Sequence, residues 1–249
     1  MMKKQQITPN FIPLYEQIKR LVMRSLSDAE WQPGEMIPSE MALAQRFQVS
    51  QGTVRKAINE LVAENMLVRR QGKGTFVATH TDDGTTYRFL HLRNLADEQT
   101  YPQSTFIGLA RIKADAQVAK RLTIRKGSPL VNLQRVLTLA GKSVVYDDIR
   151  LPAMLLKGIS SAMVEAHVNA YKGTLYSLYE TQYQIRIISA QERIRGALAD
   201  AYVAALLGVD VGAPLLCIER VAFTYKHQPV EWRMSYVNTE QHYYFDELN

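Results

Sequence analysis

Two short capped helices lie three residues apart and run directly into a basic hairpin, and this feature constrains the chain's fold more than any other. The stretch from Pro38 reads "PSEMALAQRFQVSQGTVRKAINELVAENMLVRRQGKGTFV". Ser39 and Ser50 stand where N-cap side chains belong, each just before an apolar-periodic run. In the second run Val54, Ala57, Ile58, Leu61 and Val62 follow the i, i+3, i+4, i+7, i+8 pattern of one buried stripe. With Val54 as zero, Gly52, Asn59 and Lys56 fall at about 160°, 140° and 200°, opposite the stripe. Arg55 and Thr53 flank it. An earlier segment from Pro13, "PLYEQIKRLVMRSL", puts Leu14, Ile18, Leu21 and Val22 at helical spacing, so three helices are expected before the hairpin.

A helix with one apolar side and a polar, basic opposite side fits a reader of the DNA major groove. The segment behind it supports that reading. "MLVRRQGKGTFVA" predicts two strands about a turn at Gln71–Gly74, with Arg69, Arg70 and Lys73 at the tip. Gly72 can take positive φ there and bring backbone N–H groups close to a phosphate. Charge agrees: residues 1–80 hold eleven Lys/Arg against seven Asp/Glu, or +4 of the net +6. Two cations on an arbitrary helix would otherwise read as a solvated face.

Composition excludes several classes. The single cysteine, Cys217, lies in the apolar run "PLLCIERV", so no disulfide or thiolate metal site can form within one chain. The five histidines, at 80, 91, 167, 227 and 242, have no ligand spacing, and no metal is expected. The sequence has no phosphate loop, dinucleotide glycine motif or nucleophile elbow, and no cofactor is expected. With no secretory leader and no long apolar run, the expected location is the cytoplasm.

Residues 78–88, "ATHTDDGTTYR", have turn-forming residues and no periodicity, and are expected to link a first domain (1–77) to a second (89–249). Beyond the linker, strand-like segments ("QSTFIGLARIKA", "PLVNLQRVLTLAG", "KSVVYDDIRLP", "YQIRIISAQERIRG", "APLLCIERVAFTY", "QPVEWRMSYVN") alternate with helix-like ones ("DAQVAKRL", "GTLYSLYETQ", "LADAYVAALLG"). Short turns such as "LAGKS" join several strands, which predicts an α+β domain with a mainly antiparallel sheet.

Residues 13–78 resemble the winged helix-turn-helix domain of the GntR family of bacterial regulators, through "PLYEQIK", "PGEMIPSE", "LAQRFQVSQGTVRKAINEL" and "QGKGTFV". The resemblance implies DNA-facing positions at Ser39, Ser50, Gln51, Gly52, Thr53, Arg55, Lys56, Arg70, Gln71, Gly72 and Lys73, with Arg55 as the base contact. Met41 and Gln51 stand where family members commonly carry arginine, which implies fewer charged contacts and a different operator. Residues 89–245 resemble the UTRA effector-binding domain of the HutC subfamily, similar in fold to chorismate lyase, through "RVLTLAGKSVVYDDIRLP", "GTLYSLYE" and "IERVAFTYKHQPVEWRMSYVNTEQHYY". It implies effector contacts from Arg135, Asp147, Thr174, Glu231 and Tyr236, with Leu137 where relatives often have a second arginine.

The function implied is a homodimeric transcription repressor that leaves a near-palindromic double-stranded operator when a small, anionic metabolite binds, without any membrane partner. A lyase-like enzyme fused to a DNA reader, and a DNA-binding protein without an effector, are the alternatives. The absence of a catalytic constellation weighs against the enzyme.

Overall fold

The computed structural model describes residues 12–82, 89–96, 98, 101–170 and 173–246. The chain divides into two compact units, Met1–Thr79 and His80–Asn249.

In the first unit α1 (Leu14–Ser27) buries Ile18, Val22, Ser25 and Leu26. Leu14 and Leu21, expected in that stripe, are 50% and 43% exposed, because the buried line runs along the 18–22–25–26 side. Ser39 accepts from Ala42 N–H to start α2 (Glu40–Phe47), and Ser50 accepts from Thr53 N–H to start α3 (Gln51–Ala63). Gln48, with φ 55°, ends α2 so sharply that only two further residues precede α3. The α3 stripe of Val54, Ala57, Ile58 and Leu61 is fully buried, while Val62 lies at its edge.

β1 (Leu67–Arg70) and β2 (Gly74–Val77) form the hairpin, Arg70 facing Gly74 across it. Its turn is Gln71–Lys73, closed by Lys73 N–H donating to the Arg70 carbonyl, with Gly72 at φ 70°. Gly34 N–H donates to Val77, and Ile37 N–H to Thr75, so the segment before α2 adds a third extended stretch to this wing. Ala78 also belongs here, fully buried and donating to Met66. Ala78, expected in the linker, is thus packed in the first unit. His80 is 3% exposed inside the second unit, and 83–88 lie outside the described residues.

The second unit opens with β3 (Leu92–Asn94) and continues through β4 (Gln103–Lys113), α4 (Ala116–Leu122), β5 (Pro129–Leu139), β6 (Lys142–Pro152), α5 (Ser161–Val168), α6 (Leu175–Tyr183), β7 (Ser189–Leu198), α7 (Ala201–Leu207), β8 (Pro214–Thr224), β9 (Gln228–Val237) and β10 (His242–Tyr244). Six strands form one antiparallel sheet in the order β4-β5-β6-β9-β8-β7, and β10 pairs with β3 in a separate ribbon. Ala140 and Gly141, at φ 48° and 80°, turn β5 into β6 through the two-residue hairpin that matches strand twist.

Strand alternation divides the unit into layers. On one face, Val131, Leu133, Ile149 and Leu151 pack with Leu156, Val164, Leu175, Leu178 and Tyr179 beneath α5 and α6. On the other, Leu130, Cys217, Val221 and Trp232 pack under α4, and Val136, Tyr146 and Leu215 under α7.

Candidate DNA-reading surface and effector cavity

In the first unit, Glu40 at the start of α2 binds two cations. Arg55 Nε donates to Glu40 Oε2 at 2.9 Å, and Arg69 Nη2 to Oε1 at 2.8 Å. One carboxylate thus ties α2, α3 and the wing together and uses the inner edge of Arg55. The two terminal nitrogens of Arg55 have no partner among the described residues, and a guanidinium fork left open in this way has the geometry for a bidentate contact to a guanine edge. The hydroxyls of Ser39 and Ser50 serve as caps, and Ser50 also lies 2.9 Å from Thr53 Oγ1.

The other expected positions separate into two groups. Gln51, Gly52, Gln71, Gly72 and Lys73 are exposed, and the Lys73 side chain has no partner among the described residues. Lys56 differs. Its ammonium sits 3.7 Å from the centre of the Tyr15 ring, held toward α1, because the side chain follows the helix surface to the nearest aromatic face. The Arg70 guanidinium stacks over Phe76 at 4.6 Å. Among the described residues a Cβ built on Gly52 would meet only Ser50 Oγ, at 3.8 Å, so their packing does not demand glycine there.

In the second unit, a cavity of about 90 Å³ opens between the sheet, the first turn of α6 and the β3–β10 ribbon. Arg135, Asp147 and Thr174 line it. Register explains why: Arg135 stands directly opposite Asp147, and Asp147 directly opposite Ser235, on three adjacent strands. Asp147 accepts from Arg135 Nε at 2.8 Å, Arg233 Nη1 at 3.2 Å and Ser235 Oγ at 2.5 Å. Burial alone would raise its pKa, but Arg233, Arg135 and the Ser235 hydroxyl more than offset that and hold it below 3.8.

Glu231 does not line the cavity. It is fully buried next to it, accepting from Tyr176 at 3.1 Å, Tyr179 at 2.9 Å and Arg233 at 3.0 Å. Tyr236 is a correction of the expectation: it lies on the opposite sheet face, stacked on Tyr146 at 6.2 Å, because an odd step from Glu231 reverses side-chain direction. The same alternation brings in Arg233 and Ser235, which sequence reasoning passed over. Arg220 was also missed; it donates through Nε to Glu192 at 2.5 Å and through Nη2 to the Phe89 carbonyl. Burial would raise the Glu192 pKa, but Arg220 and the Tyr244 hydroxyl lower it.

Thr174 caps α6 reciprocally with Ser177. Gly173 precedes it with no room for a side chain, since a Cβ would come within 1.8 Å of the His167 carbonyl oxygen. The N–H groups of Leu175 and Tyr176 have no acceptor among the described residues, and both residues line the cavity. Ser177 is bonded to His167 at 2.8 Å but donates to the Thr174 carbonyl and is 1% exposed, so this pair is a structural tie and not a nucleophile. Among the described residues no cluster of His, Cys, Asp or Glu could hold a metal, and no helix is long and apolar enough to cross a membrane.

Comparison with known proteins agrees with both geometries. Residues 14–77 match the model of bacterial regulatory proteins of the gntR family, and 98–243 match the UTRA domain. A protein designated a fructoselysine utilization operon transcriptional repressor from Escherichia coli K12 is 27% identical over 218 residues, covering 87% of each chain. The transcriptional repressor NagR of Bacillus subtilis is 26% identical over 213 residues, covering 85% of each. The ligand-binding domain assigned to a GntR-family regulator from Bordetella bronchiseptica is 31% identical with a TM-score of 0.62, covering 66% of this chain and 99% of that one. PhnF from Mycobacterium smegmatis shares the fold over 93% of this chain and 99% of its own, at 24% identity and a TM-score of 0.53. With a helix-turn-helix reader followed by a UTRA domain, the chain belongs to the HutC subfamily of the GntR family and is a DNA-binding transcriptional regulator, not an enzyme.

Proposed function

We propose that the protein is a repressor that binds a near-palindromic operator as a homodimer and leaves it when a small anionic metabolite occupies the second-unit cavity. One observation carries the effector half of this reading. Arg135 is 8% exposed, lines the cavity and is held only through Nε, so its two terminal nitrogens have no partner among the described residues. Arg135 and the α6 N–H groups are unmet donors along one cavity, an arrangement that suits a carboxylate or a similar anion.

The proposed operator contacts are Arg55 to a base edge, and Ser39, Ser50, Gln51, Thr53, Gln71 and Lys73 to the backbone and groove rim, with Gly52 and Gly72 allowing close approach. Arg70 adds charge beside the wing, and Lys56 acts through α1 packing. Phosphate contacts of this kind make affinity fall steeply with salt. Two relatives carry repression in their names, which supports that sign of regulation.

The test is a thermal-shift screen of small carboxylates, amino-acid catabolites and sugar phosphates, followed by operator titration with each compound that binds. A saturating ligand at 100 Kd stabilises by about 2.7 kcal/mol. For a unit of this size, that raises Tm by roughly 5 to 11 °C. A ligand that stabilises wild type, fails with Arg135→Ala and lowers operator affinity supports the reading. Binding without any effect on the operator removes it.

A further inference from the structure

Charge balance, wall chemistry and size together indicate what the cavity takes, and this inference rests on the effector reading above. Three buried arginines face it, Arg135, Arg220 and Arg233, and three carboxylates, Asp147, Glu192 and Glu231, already neutralise them. Among the described residues the group is neutral as it stands, so a dianion would leave twice the uncompensated charge that a monoanion does. Among the described residues the uncommitted donors are the Arg135 fork, the buried Ser104 Oγ, which has no hydrogen-bond partner there, and the α6 N–H groups. That set matches one bidentate carboxylate.

One side of the wall is apolar. Leu92, Leu137, Val145, Ile218 and Val237 are each at most 5% exposed and form one cluster along the cavity. Leu137 lies two residues from Arg135 on the same strand, so the polar and apolar parts of the cavity adjoin. Among the described lining residues there is no Asn or Gln, and both oxygens of the lining carboxylate, Asp147, are occupied. Sugar hydroxyls placed against this apolar side would be left unpaired. The cavity, about 90 Å³ and open on one side, is smaller than the roughly 150 Å³ that encloses benzene, so a short branched body fits inside it and a single ring fits only with part of its edge at the mouth.

We infer that the effector is a small monocarboxylate with a short branched or single-ring apolar body, and not a sugar phosphate. Isothermal titration of the full chain compares acetate, propionate, butyrate, isovalerate and benzoate with glucose 6-phosphate, inorganic phosphate and benzyl alcohol. Affinity is expected to rise about fourfold with each added buried methylene and to stop rising when the wall is filled. Isovalerate or benzoate is expected to bind at least tenfold more tightly than glucose 6-phosphate. Ser104→Ala, which leaves the ion pairs untouched, is expected to weaken every carboxylate by three- to tenfold. Leu137→Ala is expected to weaken isovalerate but not acetate.

Glucose 6-phosphate or phosphate binding as tightly as the best monocarboxylate overturns the inference. So does a flat acid series, or no binding of any acid at 10 mM by a chain whose unfolding is otherwise normal. Failure of the effector reading looks different: the acids bind with the predicted order and operator affinity does not change.

Discussion

Replacing Asp147 by asparagine removes one negative charge from between two buried guanidinium groups. Asp147 is 1% exposed and accepts from Arg135, Arg233 and Ser235. Breaking a buried ion pair from one side costs about 3–5 kcal/mol, since the remaining cations stay desolvated without a counter-charge. For a unit the size of His80–Asn249 each kcal/mol moves Tm by about 2–4 °C, so the loss is roughly 6–20 °C. Differential scanning calorimetry of the full chain reads it as movement of the second-unit transition, with that of the first unit in place. The double variant Asp147→Asn, Arg135→Met removes one stranded cation and is expected to recover about 1–2 kcal/mol relative to the sum of the singles. The pH dependence has a definite sign. Because the folded pKa lies below 3.8, the stabilisation is present above the unfolded pKa and is lost as pH falls through the folded one. A Tm within 2 °C of wild type, or a double variant that is simply additive, would refute the reasoning.

Three further outcomes follow from the geometry. Arg55→Ala is expected to cost about 1–3 kcal/mol in operator affinity, measured against a scrambled duplex, whereas Lys56→Ala, packed on Tyr15, changes the salt slope by less than one ion. Gly52→Ala is expected to stabilise the free protein by about 0.5–1 kcal/mol, since a Cβ there meets only an ordinary contact, while weakening operator binding in a gel-shift titration. Gly173→Ala is expected to destabilise the second unit by about 3 kcal/mol in urea unfolding, because the His167 carbonyl occupies the space.

Much of this architecture was legible because short-range rules decide it. Ser39 and Ser50 cap the two helices the spacing predicts, and five strand segments matched to within about two residues. Misreadings arose where distant packing decides. Ile185 and Ile187 read as the start of a strand but enter the core as a loop, and β7 begins only at Ser189. α5, "SAMVEAHV", carried no pattern strong enough to announce a helix. In the cavity, Arg135 and Asp147 came from motif resemblance, whereas Arg233 and Ser235 follow from simple alternation along β9 starting at Glu231. Arg220 and the Phe89–Leu92 wall depend on the register between strands and on a ribbon joining the two ends of the unit, which no local pattern encodes.

The shared ion pairs of the cavity also shape how such a regulator evolves. Asp147 serves Arg135 and Arg233, and Arg233 serves Glu231, so each is the counter-charge of another. A mutation in any one of them lowers fitness through folding before a new ligand can confer any benefit. Under the proposed effector reading, routes to a different specificity through these positions require paired replacements, and the order in which they arise matters. Ser104, Leu137, Val145 and Ile218 face the same cavity without belonging to the network, so they can drift one at a time. Divergence among descendants is expected to appear first at those four positions, with the charged group inherited as a block.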